Sequence, residues 1–317
     1  MNDVDHRHLH TVSREIVHRA ALAEVFVTDL VRRADDVYAS AVQLPRSHAF
    51  YGDHVGPRAR RYDPLLVMEA ARQSGMAVVH QFLGVPLTRA FLMRTFNGRA
   101  LPTDSWEICS VPADLEIVVG IERRFRGDDD ELTGLAVRLD VCRNGVPMMV
   151  VDSKFSWIPR PQWDALRRNV RRAAGCGETV SRLPMAERAD PGVVGRESAR
   201  NVVITPPHRS GDTATARLVN DLDHPTLFDH PVDHVPGSLQ IEACRQLGTA
   251  LVMTHTGAQT AALDCVKSRF AGFLELDHSS DITATIAATG DDHALLHVEI
   301  CQNGRMASDF DMIVRTA

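Results

Sequence analysis

Lysine is almost missing from this chain of 317 residues: Lys154 and Lys267 are the only two, so arginine carries nearly all the positive charge. That bias more often reflects coding composition than function. The formal net charge is −6 and the isoelectric point about 6.2, an acidic balance that argues against a general nucleic-acid binder. Also lacking is any uninterrupted apolar run of the roughly 18 residues that a spanning helix needs. The start, "MNDVDHRHLH", is polar and has no apolar core of a signal peptide. A cytoplasmic protein with neither membrane nor nucleic-acid partner is therefore expected.

Cys109, Cys142, Cys176, Cys244, Cys265 and Cys301 are scattered without a C-x-x-C pair, so neither a zinc site nor a disulfide framework is indicated and all six read as plain thiols. No G-x-G-x-x-G or P-loop occurs, and strands do not alternate with helices. A doubly wound nucleotide-binding fold is thus disfavoured.

What the chain does have is a repeat. Glu69, Arg72, Gln73 and Gly75 recur 173 positions on as Glu242, Arg245, Gln246 and Gly248, and "VCRNG" at Val141 recurs 159 positions on as "ICQNG" at Ile300. Order is kept, so two homologous halves are expected, with the offset difference absorbed by a longer loop around residues 100–113. "LLVMEAARQSGMAVVHQFLG" and "SLQIEACRQLGTALVMTHTG" are apolar nearly all round and read as buried helices. "LAEVFVTDL", "DVYASAVQL", "LEIVVGIERRF", "LTGLAVRLDVC" and "VPMMVVDSKFSWI" read as strands of the first half. "NVVIT", "TATARLV", "DITATIAAT", "ALLHVEIC" and "RMASDFDMIV" read as strands of the second. Asn144-Gly145 and Asn303-Gly304 suit type I′ hairpins. The expected fold class is α+β, one buried helix wrapped by an antiparallel sheet, twice. Residues 1–159 and 201–317 form the halves; 160–200, rich in Arg, Gly and Pro, form a linker with a short helix over Gln162–Ala174.

On a helix, Glu242, Arg245 and Gln246 stand at i, i+3 and i+4, as do Glu69, Arg72 and Gln73, so each trio shares one face. Two meanings stay open: an internal ion pair that fixes the helix, or a reactive polar stripe. The flanking residues carry a resemblance. "FDHPVDHVPGSLQIEA" is similar to the F-x-G-H-F-P…P-G…E-A signature of hotdog acyl-carrier-protein dehydratases, with His230 as the loop histidine and Glu242 as the helix acid, although two residues between His and Pro-Gly are absent. The double Glu-Ala-x-Arg-Gln, with "VHRAALAEVFVTD", "LPRSHAFY" and "FDHPVDHVPG", resembles the A-factor biosynthesis hotdog (AfsA-type) family over nearly the whole chain.

That resemblance implies a tandem hotdog fold packed as a pseudo-dimer. It implies an acyltransferase joining a β-ketoacyl group from acyl carrier protein to the hydroxyl of dihydroxyacetone phosphate, the committed step towards γ-butyrolactone, butenolide or furan signals. The family's functional positions fall on Glu69, Glu242 and Arg245. Such a reaction needs a base, for which a buried carboxylate of raised pKa, Glu242 or Glu69, would serve. It needs oxyanion donors, which the N–H groups of Gly237 and Ser238 could supply, and a phosphate clamp at Arg245 and Arg72, flanked by Gln73 and Gln246. His230 is a candidate acid–base residue, with a structural role as the alternative. His224, His230 and His234 carry no recognised zinc spacing, so neither metal nor other cofactor is expected. Leu66, Met68, Met76, Leu239 and Met253 are core residues or, alternatively, tunnel lining. The arginines at 58–61, 123–126 and 167–172 read as solvated faces, one of which could dock an acidic carrier protein. The alternatives are a hotdog dehydratase or thioesterase, or a non-catalytic acyl- or signal-binding protein; oligomeric state is left open.

Overall fold

The computed structural model describes residues 8–177 and 180–316 and divides into two compact units. The polar start through Arg7 and the linker residues Glu178 and Thr179 lie outside the described residues. The first unit is Met1–Gly52, Arg60–Leu92 and Gly98–Pro159; the second is Asp53–Ala59, Met93–Asn97 and Arg160–Ala317.

The strands of the first half are β1 (Val27–Ala34), β2 (Val37–Leu44), β3 (Ala90–Ala100, whose middle, Met93–Asn97, is counted with the second unit), β4 (Ala113–Arg126), β5 (Leu132–Arg143) and β6 (Val146–Ile158). They lie in the order β1-β2-β4-β5-β6-β3, and the pairs β1–β2, β2–β4, β4–β5 and β5–β6 are antiparallel. Period-two burial explains the registration of β4: Ala113, Leu115, Ile117 and Val119 are buried while their neighbours are not. The helix α1 (Pro64–Gln81) packs on this sheet. It starts where Pro64 fixes the first turn and the Asp63 carboxylate accepts from Leu65 N–H at 2.8 Å. Leu66, Met68, Val78 and Val79 are all but inaccessible to solvent, and each such burial is worth about 1.5–3 kcal/mol. Gly98 lets β3 pass close to the helix, since a Cβ there would fall 2.4 Å from Met68 Sδ.

The second unit repeats this plan. Its strands β7 (His208–Ser210), β8 (Thr213–Arg217), β9 (Ala261–Phe270), β10 (Ser280–Thr289), β11 (His293–Gln302) and β12 (Arg305–Thr316) run β7-β8-β10-β11-β12-β9, antiparallel throughout. Adding six to each label of the first order produces the second, so the duplication is topological as well as textual. Its helix α3 (Gly237–Thr256) is packed as closely as α1: a Cβ on Gly248 would meet Leu296 Cδ1 at 2.7 Å. Both Asn-Gly turns take left-handed φ, 51° and 76° at Asn144-Gly145 and 52° and 70° at Asn303-Gly304, as type I′ hairpins require.

Several local expectations need correction. "NVVIT" is no strand: it is a buried loop with one isolated bridge, Ile204 to Leu218. Conversely β3, β7 and β9 were not foreseen. The length difference between the halves is not confined to residues 100–113; it is spread over the helix ends, the β3–β4 connection and the longer β4–β5 hairpin. The stretch after residue 160 carries α2 (Arg160–Ala173), whose arginines divide between two faces: Arg168 and Arg172 are exposed as expected, but Arg167 and Arg171 are buried. Arg167 binds Glu275 through two bonds of 2.9 and 2.8 Å, and Arg171 bridges Glu275 and Asp277 at 2.7 and 2.8 Å. Among the described residues, no helix is long and apolar enough to cross a membrane.

Candidate active site

Each helix brings its Glu, Arg and Gln to one buried point, and each receives a second arginine from a distant turn. In the first unit a 3-10 turn, Arg14–Val17, ends at His18 in the left-handed region, and Arg19 N–H closes back on Arg14 O at 3.0 Å. This turn aims Arg19 at α1, where its guanidinium meets Glu69 at 2.6 and 3.0 Å. In the second unit the turn Pro191–Val194 ends at left-handed Gly195, and Arg196 N–H closes on Pro191 O at 2.8 Å. Arg196 then meets Glu242 Oε1 through Nη2 at 2.7 Å and Nε at 3.2 Å. These two arginines were missed in the sequence, although Val17-x-Arg19 and Val194-x-Arg196 stand 177 positions apart, close to the spacing of the helix motif.

The rest of each cluster follows the same plan. Arg72 binds both oxygens of Glu69 at 2.8 Å, and Gln73 donates to Glu69 Oε1 at 2.8 Å and Glu24 O at 2.7 Å while accepting from Phe26 N–H at 2.9 Å. Arg245 likewise pairs with Glu242 Oε2. Gln246 donates to Glu242 Oε1 and to Asn201 O at 2.8 Å, and accepts from Val203 N–H at 2.9 Å. Thus each glutamine stitches its helix to the chain leading in from the arginine turn. Each carboxylate faces two guanidinium groups with almost no access to water: Glu69 is 4% and Glu242 0% exposed.

A histidine completes each copy. His48 Nδ1 accepts from the N–H groups of Phe50 and Tyr51, and His224 Nδ1 from those of Thr226 and Leu227. With Nδ1 an acceptor, Nε2 carries the hydrogen, directed to Glu24 at 3.3 Å in one copy and to Asn201 Oδ1 at 3.2 Å in the other. Burial pushes the His224 pKa down to about 4, so it is a neutral structural hub.

The electrostatics reverse one expectation. Burial tends to raise the pKa of Glu69, but Arg19 and Arg72, with hydrogen bonds from Arg72 and Gln73, outweigh it and hold the carboxyl down at about 2. A carboxylate so stabilised is a weak base. Burial, reinforced by the charge of Glu69, pushes the Tyr51 phenol up, so it stays protonated.

The remaining candidates lie near the start of α3. No side chain caps this helix: Pro236 occupies the cap position, so the first N–H groups, those of Gly237 and Ser238 among them, lack the carboxylate that Asp63 gives α1. His230 is exposed on the preceding loop, with Nδ1 3.5 Å from Asp229 Oδ2. His224, His230 and His234 do not converge as ligands: the first is bound in its turn, and the other two face Asp229 and Asp233.

Comparison with known proteins agrees with the duplicated architecture. The A-factor biosynthesis hotdog domain matches residues 2–157 and 178–317. A Streptomyces virginiae protein named 2-oxo-3-(phosphooxy)propyl 3-oxoalkanoate synthase is 33% identical over 275 residues, covering 86% of this chain and 87% of its own. A protein of the same name from Streptomyces coelicolor is 29% identical over 280 residues, covering 87% and 82%. Among solved structures, one described as an oleoyl thioesterase from Lactobacillus plantarum aligns with a TM-score of 0.53 at 12% identity. It covers 88% of this chain and 96% of its own, which shows the shared fold.

Proposed function

This chain belongs to the A-factor biosynthesis hotdog family, and on that basis we propose that it is an acyltransferase making a 2-oxo-3-(phosphooxy)propyl 3-oxoalkanoate in signal-molecule biosynthesis. A 3-oxoacyl group held as a thioester on acyl carrier protein is transferred to a hydroxyl of dihydroxyacetone phosphate. The observation that carries this reading is the 33% identity over most of both chains to a synthase bearing that product's name.

In the proposed reaction the hydroxyl oxygen attacks the thioester carbonyl, the C–S bond breaks, and the hydroxyl proton ends on the carrier's thiol. The oxyanion between these steps needs fixed donors, and the uncapped N–H groups of Gly237 and Ser238 at the positive end of α3 supply them. The corresponding end of α1 already holds the Asp63 carboxylate, which favours the second copy as the reacting one. Arg245 takes the acceptor's phosphate, with Glu242, Arg196 and Gln246 fixing the guanidinium plane. Because Glu69 is held at about 2, we assign both glutamates to orienting arginine rather than to proton transfer. His230 suits the base role better: Asp229 lies beside Nδ1, leaving Nε2 for the proton. Arg72 and Gln73 order the first copy.

Product analysis by mass spectrometry tests the function. With a 3-oxoacyl carrier protein, the phosphorylated ester should form only when dihydroxyacetone phosphate is present. Release of free 3-oxo acid at the same rate with or without the acceptor would make the protein a thioesterase and overturn the reading.

A further inference from the structure

Away from the duplicated clusters, Cys176, Asp277 and His278 converge, with one ligand atom from each lying within 4.8 Å of the others. Cys176 Sγ is 3.5 Å from His278 Nδ1, which is itself 3.3 Å from Asp277 Oδ1. Around a tetrahedral zinc ion, bond lengths of about 2.3 Å to sulfur and 2.0–2.2 Å to nitrogen and oxygen separate S from N by about 3.6 Å and N from O by about 3.4 Å.

The arms are fixed before any ion arrives. Gly175 takes a left-handed φ of 76° at the end of α2, and Cys176 N–H closes on Arg171 O at 2.9 Å, which sets the thiol's position. On the other side Gln302 Nε2 donates to the carbonyls of Glu275 and His278, both at 2.9 Å, holding the segment that carries Asp277 and His278. Arg171 grips Asp277 at 2.8 and 3.1 Å, so the carboxylate has the outer partner that metal-bound carboxylates commonly have, with lone pairs to spare. A nucleophilic triad fits less well. Such a triad needs the thiol and the carboxylate on opposite ring nitrogens, whereas here Nδ1 is the nearer nitrogen to the thiol and also faces the carboxylate. Burial also pushes the Cys176 thiol up, away from the free thiolate a nucleophile needs.

We propose that Cys176, Asp277 and His278 form a binding site for a divalent cation of the zinc class, tying the end of α2 to the β9–β10 connection. The mixed sulfur, nitrogen and oxygen donors suit zinc over magnesium or calcium, and three protein ligands leave a fourth position for solvent.

The test uses full-length protein stripped with chelator, re-equilibrated with zinc chloride, freed of excess ion, and assayed for metal by mass spectrometry and for melting temperature. Wild type should retain one zinc per chain and melt higher with it. Cys176→Ser and His278→Ala should each weaken zinc binding by more than the roughly 10- to 100-fold cost of losing an outer-sphere partner. Cobalt should show a thiolate charge-transfer band in wild type that Cys176→Ser abolishes. His234→Ala, outside the cluster, should retain zinc as wild type does. Zinc held equally by wild type and Cys176→Ser, or by neither, would overturn the proposal.

Discussion

Arg196 offers the sharpest test of how the second cluster is held. Its side chain is 1% exposed, two of its nitrogens bind Glu242 Oε1 at 2.7 and 3.2 Å, and a third donates to Asp53 O at 3.2 Å. Arg196→Met keeps much of the apolar stem and removes the charge, leaving the buried Glu242 carboxylate without one of its two guanidinium groups. Breaking one side of a buried ion pair typically costs about 3–5 kcal/mol. With a urea dependence of about 3 kcal/mol per molar, the midpoint of the transition reporting on the second unit should fall by roughly 1 M or more. Because the carboxylate is the source of the cost, Glu242→Gln combined with Arg196→Met should cost less than the sum of the single losses, by roughly 0.5–3 kcal/mol. Urea unfolding followed by tryptophan fluorescence, read through Trp163 of that unit, gives all three values. A midpoint change in Arg196→Met below about 0.2 M, with additive singles, would refute the claim that this pair is coupled and buried.

Other consequences follow from pH. Glu69 falls from an ordinary 4.5 to about 2 in the folded protein, so its contribution is complete above pH 4.5 and is lost as pH falls from there towards 2; Glu69→Gln should flatten that part of an acid-stability curve, and an unchanged curve would contradict the assignment. His224 falls from 6.5 to about 4, so its neutral form supports the fold above pH 6.5 and that support is lost between 6.5 and 4. His224→Gln should remove this component when stability is measured across the window.

What could be read in the sequence was what is encoded locally. The two helices, the Asn-Gly hairpins and the shared face of Glu, Arg and Gln all follow from short-range spacing, and the structure keeps them. Strand β9 escaped because it is buried on nearly every residue at its start, leaving no alternation to count, and β3 because its first half is only partly covered on both faces. "NVVIT" misled for the opposite reason: a β-branched apolar run signals burial, and its backbone is divided among the Gln246 amide, Ala189 N–H and a single bridge to residues 217–219, too short to make a strand. Arg19 and Arg196 reach their carboxylates across 50 and 46 residues. Only the repeat of their turn, not any local pattern, could have exposed them. Arg167 and Arg171 looked solvated because their partners, Glu275 and Asp277, lie more than 100 residues on.

In the proposed reaction the second copy holds the phosphate of the acceptor through Arg245. The most direct test of this is the dihydroxyacetone phosphate concentration that half-saturates ester formation, measured for wild type, Arg245→Lys and Arg72→Lys. Loss of a charge-assisted bidentate contact of about 2 kcal/mol corresponds to roughly a 30-fold rise. Arg245→Lys keeps the charge without the planar fork and should show a substantial part of that rise, whereas Arg72→Lys should leave half-saturation within about twofold of wild type. Equal half-saturation in all three proteins, or a rise confined to Arg72→Lys, would show that Arg245 does not hold the phosphate.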